Sequence, residues 1–207
     1  MVIDYSLYFV ADAEFAAGRD ILDLVGEAVR GGATVVQLRA KNFSSPDLLD
    51  LCLRATDRLA RTGVPLLVND RVDIALACGA AGVHLGQEDM PVQEARRILG
   101  PDRIIGISVN TPEEALRAER DGADYVGAAP AYVTVTKEIA LSVLGPEGIA
   151  RIKRAVRIPV VAIGGIVAGN AAALAAAGAD GIAVISAILG APDARRAAED
   201  LRKAFGR

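Results

Sequence analysis

Residues 68–89 read VNDRVDIALACGAAGVHLGQED, and the order of elements inside them decides the fold. VN closes the apolar run VPLLVN, RVDIALAC carries helical periodicity, Gly79 can end that helix, and GVHLG is a second apolar run. Two short apolar runs joined through a helix are buried parallel strands, since an antiparallel pair needs only a tight turn.

The same unit recurs on both sides. Gly-Ala followed by an apolar run occurs four times, as GATVVQLR at 32, GAAGVHLG at 79, GADYVGAA at 122 and GADGIAVIS at 178. Between them lie VPLLVND, GPDRIIGISV and IPVVAIGG, each introduced by proline, and SLYFV opens the series. Helical patterns separate these eight runs, several of them starting at Ser, Thr, Asp or Pro: DILDLVGEAVR, SPDLLDLCLRATDRLAR, RVDIALAC, PVQEARRIL, TPEEALRAERD, PEGIARIKRAV, GNAAALAAA and PDARRAAEDLRKAF. Strand and helix alternating eight times in 207 residues describe a compact α/β domain, a (β/α)8 barrel over 1–207; a doubly wound open sheet is the lesser alternative.

Composition bounds the function. A chain 52% hydrophobic with net charge −3 and 4% aromatic residues offers neither the basic surface nor the stacking platform of a nucleic-acid binder. VVAIGGIVAGNAAALAAAG (160–178) imitates a membrane span, but it is mostly Ala and Gly with a Gly-Gly pair, and the repeat makes it strand plus helix. Cys52 and Cys78 form no CxxC, which argues against a zinc cluster or disulfide framework and for a cytoplasmic location. The start, MVIDYSLYFVADAE, reads as a first strand rather than a secretion signal.

Chemistry in a barrel belongs on the loops after the strands. After the second strand Gln37, Arg39 and Lys41 share one parity and Val36, Leu38 and Ala40 the other, so the polar row points into the barrel mouth. Two unpaired cations there call for an anion opposite them, and removing either is expected to slow turnover while leaving the fold intact. AYVTVTKE supplies Thr134, Thr136 and Lys137 as donors; Ser108 ends the fifth strand. Gly164-Gly165 and Val184-Ile185-Ser186 match the phosphate site that barrels build after strands seven and eight. Two anion regions are therefore expected, one around strands two and six, the other around seven and eight.

Asp70 and Asp89 each follow one strand of the opening unit. Each alone is a helix N-cap candidate; together, on neighbouring strands, they can share Mg²⁺ with phosphate oxygens and water. Asn69 is a turn residue, an orienter of Asp70 or a donor to a heterocycle. His84 is the sole histidine, and with no partnered Ser, Cys or acid motif for a hydrolytic triad it reads as a packing or ligand-contact residue.

QLRAK, VNDRVDIALACGAAGVHLGQED, IIGISVNTPEEA, GADYVGAAPAYVTVTK and VVAIGGIVAGNAAALAAAGADGIAVISAI together resemble the thiamine-phosphate synthase (pyrophosphorylase) family, in order and over nearly the whole chain. The resemblance implies a cytoplasmic transferase on a (β/α)8 barrel, joining a hydroxymethyl-aminopyrimidine diphosphate to a thiazole phosphate with release of pyrophosphate. It implies that Gln37, Arg39, Lys41, Asn69, Ser108 and Lys137 hold the pyrimidine diphosphate, with Arg39, Lys41, Ser108 and Lys137 serving catalysis. It gives Mg²⁺ to Asp70 and Asp89, and the thiazole phosphate to Thr134, Thr136, Gly165, Ile185 and Ser186. Small-molecule partners are implied, with no nucleic acid or membrane, and the oligomeric state stays open. The chain departs from the family at Val133, where proline is usual, and at Ala129, where Gly-Pro is usual. A thiazole tautomerase paralogue or a non-catalytic phosphate-binding regulator on the same barrel are the alternatives; the tautomerase has no need of the full polar row and both acids.

Overall fold

The computed structural model describes residues 3–134 and 142–206. Eight strands, β1 (Leu7–Asp12), β2 (Val35–Arg39), β3 (Leu66–Asn69), β4 (Gly82–Leu85), β5 (Ile104–Val109), β6 (Tyr125–Ala128), β7 (Val160–Ile163) and β8 (Gly181–Val184), pair in parallel and in sequence order; β8 closes on β1. The helices are α1 (Ile21–Arg30), α2 (Ser45–Leu59), α3 (Val72–Ala77), α4 (Val92–Leu99), α5 (Pro112–Arg120), α6 (Gly145–Ala155), α7 (Ala168–Ala176), α8 (Ser186–Leu189) and α9 (Ala194–Phe205). The barrel is the expected one, and closure excludes the open-sheet alternative.

The strands read as apolar runs because both faces are buried, and the two faces have separate cores. Leu7, Phe9, Val36, Leu38, Val68, Leu85, Ile105 and Val126 pack outward against the helices. Tyr8, Val10, Val35, Leu67, Tyr125, Val161 and Ala183 fill the barrel interior. Large rings fit there because facing positions are small: a Cβ on Gly106 would fall inside the Tyr125 ring. Tyr5, Tyr8 and Tyr125 cluster, with ring centroids 4.8 Å (Tyr5–Tyr125) and 5.9 Å (Tyr8–Tyr125) apart.

Two sequence expectations change in detail, and a third, the strand-plus-helix reading of residues 160–178, holds. β8 stops at Val184, and Ser186 begins α8, a four-residue helix too short to show periodicity in sequence. The membrane-like stretch is β7, a turn and α7, and no helix among the described residues is long and apolar enough to cross a membrane. Asp70 and Asp89 cap neither following helix: the N-cap of α3 is Arg71 and that of α4 is Pro91, neither with a side-chain cap bond.

Candidate active site

Period 2 carries the inward parity of the buried core upward to the C-terminal end of the barrel, where it meets polar residues. Asp12 ends β1, Gln37 and Arg39 end β2, Asn69 ends β3, His84 lies on β4 and Ser108 on β5. Neighbouring strands place Asp12 beside Arg39 and Asn69 beside His84 in register.

The Arg39 guanidinium bonds the carboxylate of Asp12, whose side chain is fully buried. The two cations of the polar row are therefore not unpaired. Sequence reading missed Asp12 because its partner is 27 residues away and the acid lies at the end of an apolar run, where it resembles a turn residue. Asp12 also accepts the Glu14 N–H at 3.1 Å, which starts a short 3-10 turn. Lys41 is half exposed and lies 3.5 Å from Asp70.

Asp70 sits in the left-handed region (φ 61°), in a tight turn closed by the Arg71 N–H on the Asn69 carbonyl at 2.7 Å. A non-glycine residue there costs on the order of 1 kcal/mol, tolerated best by Asp and Asn. The turn keeps Asp70 against β4, where its N–H bonds the His84 carbonyl at 2.9 Å. Burial, and then the neighbouring Asp89 carboxyl, raise the pKa of Asp70, while Lys41 opposes them. Asp89 is held by the Gly86 N–H at 2.7 Å. A carboxyl raised by burial and by a neighbouring carboxyl is an arrangement a divalent cation relieves, and the oxygen donors suit Mg²⁺. Among the described residues no third acid, histidine or cysteine joins them, so the remaining ligands would come from substrate and water.

Ser108 does not stand alone at the rim. His84 Nε2 lies 3.0 Å from Ser108 Oγ and His84 Nδ1 lies 2.8 Å from the Tyr125 hydroxyl. The sequence reading that left His84 without a serine partner is thus corrected: the pair forms through β4–β5 adjacency, 24 residues apart. Gln37, buried, donates from Nε2 to the Tyr8 hydroxyl at 2.6 Å.

On the opposite side Thr134, Gly164, Gly165, Ile166, Ile185 and Ser186 line one small pocket. Gly165 has φ 63°, and a Cβ there would collide with the Val133 carbonyl. Asn170, which the sequence reading gave no role, holds this turn by donating to the Gly165 carbonyl at 3.0 Å and accepting the Val167 N–H at 2.9 Å. Thr136 and Lys137 lie outside the described residues.

Closed eightfold topology with a polar C-terminal mouth defines a protein of the (β/α)8-barrel class. A family model described as thiamine monophosphate synthase matches residues 7–188. Thiamine-phosphate synthase of Chloroflexus aurantiacus is 49% identical over 97% of this chain and 93% of its own length. That of Albidiferax ferrireducens is 50% identical over 95% and 90%. Thiamine phosphate pyrophosphorylase of Pyrococcus furiosus superposes with TM-score 0.89 at 42% identity, over 98% of this chain and 96% of that one. The chain belongs to the thiamine-phosphate synthase family and is a transferase that releases pyrophosphate. Nothing in these matches supports the tautomerase or regulator alternatives.

Proposed function

We propose that the polar mouth of β2–β5 binds the pyrimidine diphosphate and the β7–β8 pocket binds the thiazole phosphate, so that the two substrates meet across the top of the barrel. What carries this reading is the contiguous set of Lys41, Asp70 and Asp89 beside the inward Gln37–Arg39 row. Asp70 and Asp89 would hold Mg²⁺, whose charge offsets that of the diphosphate.

In the reaction the bond from the pyrimidine methylene to the diphosphate oxygen breaks, and its electron pair leaves with pyrophosphate. The thiazole nitrogen supplies the pair for the new C–N bond. The electron-rich aminopyrimidine spreads the positive charge that collects on the methylene, so no general base is needed. Arg39, Lys41, Ser108 and Lys137 act on the leaving group, where attraction grows as the bond breaks. Asn69 and Gln37 orient the ring, and Thr134, Thr136, Gly165, Ile185 and Ser186 hold the thiazole phosphate. The protein works in the cytoplasm, in keeping with two buried free thiols.

The test is product formation from the two purified substrates, with and without EDTA. Thiamine phosphate and stoichiometric pyrophosphate, lost in EDTA and restored by Mg²⁺, are expected. Undiminished turnover of EDTA-treated protein would remove the metal from this reading.

A further inference from the structure

Inside the barrel five polar groups make one unbroken chain: Gln37 Nε2 to Tyr8 OH at 2.6 Å, Tyr8 OH to Tyr125 OH at 2.8 Å, Tyr125 OH to His84 Nδ1 at 2.8 Å, and His84 Nε2 to Ser108 Oγ at 3.0 Å. It joins two residues assigned above to the pyrimidine diphosphate, through three that are not. Tyr8 and Tyr125 are deeply buried, so their hydroxyls are held well above the ordinary phenol range and stay protonated. Each can then donate once.

The direction of the chain follows from its first member. An amide nitrogen only donates, so Tyr8 accepts from Gln37 and gives its own proton to Tyr125. Tyr125 in turn gives its proton to Nδ1. Nδ1 is then bare, Nε2 carries the imidazole proton, and Nε2 donates to Ser108. The Ser108 hydroxyl, having accepted, has its own proton to offer outward. At the other end the bond from one Gln37 N–H to Tyr8 fixes which way the amide faces, so that Oε1 is presented as an acceptor, with the second N–H beside it. This polarity is opposite to that of a hydrolytic triad, where an acid accepts from Nδ1–H and Nε2 takes the serine proton. His84 is thereby set up as a donor to Ser108, not as its base.

We propose that Tyr8, Tyr125 and His84 are positioning residues whose one-directional chain fixes the orientation of the Gln37 amide, with Oε1 as the acceptor, and Ser108 as a donor, and so selects an amino-bearing pyrimidine joined to an anionic leaving group. The two ends match the two ends of that substrate in this direction only: an exocyclic amine donates to Oε1, and a diphosphate oxygen accepts from Oγ–H. A pyrimidinone, with a carbonyl in place of the amine, would face Oε1 acceptor to acceptor. The inference rests on the placement of the pyrimidine diphosphate at Gln37 and Ser108.

Because His84 is the sole histidine, its ring nitrogens can be observed singly by long-range ¹H–¹⁵N NMR of the labelled full chain. Without substrate, near neutral pH, Nε2 is expected as the protonated nitrogen and Nδ1 as the bare one. The reverse tautomer would mean that the Gln37 amide is turned over and every bond in the chain reversed, and would overturn the proposal whatever the kinetics. The kinetic arm uses Tyr8→Phe and Tyr125→Phe, which remove one hydroxyl each. Each should raise KM for the pyrimidine diphosphate about tenfold, the effect of one lost hydrogen bond, with KM for the thiazole phosphate unmoved. Tyr8→Phe should also narrow the preference for the amino over the oxo pyrimidine diphosphate. If the wild-type tautomer is as expected but neither KM nor that preference responds, the chain exists and the pyrimidine is not read by it, which overturns both the selection and the substrate placement beneath it. Should a variant fail to fold, the wild-type spectrum and its response to added pyrimidine diphosphate still decide the direction.

Discussion

Arg39→Ala tests the pairing at the end of β1 and β2. In the folded chain the Asp12 carboxylate is fully buried, and its partners among the described residues are the Arg39 guanidinium and the Glu14 N–H at 3.1 Å. Removing the guanidinium leaves a buried charge with one neutral donor, a change that typically costs about 3–5 kcal/mol. For a chain of this size each kcal/mol moves Tm by roughly 2–4 °C, so Arg39→Ala should melt on the order of 10 °C below the wild type. This reverses the sequence-based expectation that the variant folds as well as the parent. Asp12→Asn placed in the Arg39→Ala background removes the stranded charge and should recover most of the loss, while activity stays low because the guanidinium is still missing. Calorimetry or fluorescence-monitored melting of wild type, both single variants and the double variant gives the coupling directly. A melting temperature for Arg39→Ala within about 2 °C of the parent, or no recovery in the double variant, would refute the reasoning.

Three further outcomes follow from the same geometry. Lys41→Ala deletes a half-exposed side chain 3.5 Å from Asp70, so Tm should stay within about 1 °C while kcat falls, by analogy with a lost leaving-group donor, roughly a hundredfold; steady-state kinetics beside a melting curve check both. Asp70 has its folded-state pKa raised, so metal-free protein binds that proton more tightly than the unfolded chain does, and this stabilisation is lost as pH climbs above the ordinary aspartate range. Metal-free Asp70→Asn should therefore melt at or above the wild type near neutral pH, lose that advantage in acid, and gain less from added Mg²⁺; an equal Mg²⁺ response in both proteins would count against the shared site. Ser186→Ala removes a hydroxyl from the pocket it shares with Thr134 and Gly165, and should raise KM for the thiazole phosphate several-fold with little change for the pyrimidine diphosphate.

The sequence by itself determined the eightfold alternation of strand and helix and the inward and outward faces of its strands, while closure into a barrel rather than an open sheet was decided by the structure. Eight apolar runs separated by helical patterns leave little topological choice, and strict alternation along Val35–Arg39 already tells which of Gln37 and Leu38 faces inward, because both signals are periodic within one element. The likeness of its motifs to a family, in order over the whole length, carried the activity. Partnership across elements was decided by the tertiary structure alone. Asp12 meets Arg39 through the β1–β2 register, His84 meets Ser108 through β4–β5, and the Tyr8 and Tyr125 hydroxyls, 117 residues apart, meet because the sheet closes and Gly106 leaves room for a ring. The left-handed turn at Asp70, which turns a candidate helix cap into half of a carboxylate pair, depends on β3 and β4 being held side by side. Such contacts depend on register and closure, global quantities set by how all eight strands pack together, and no window of sequence contains them.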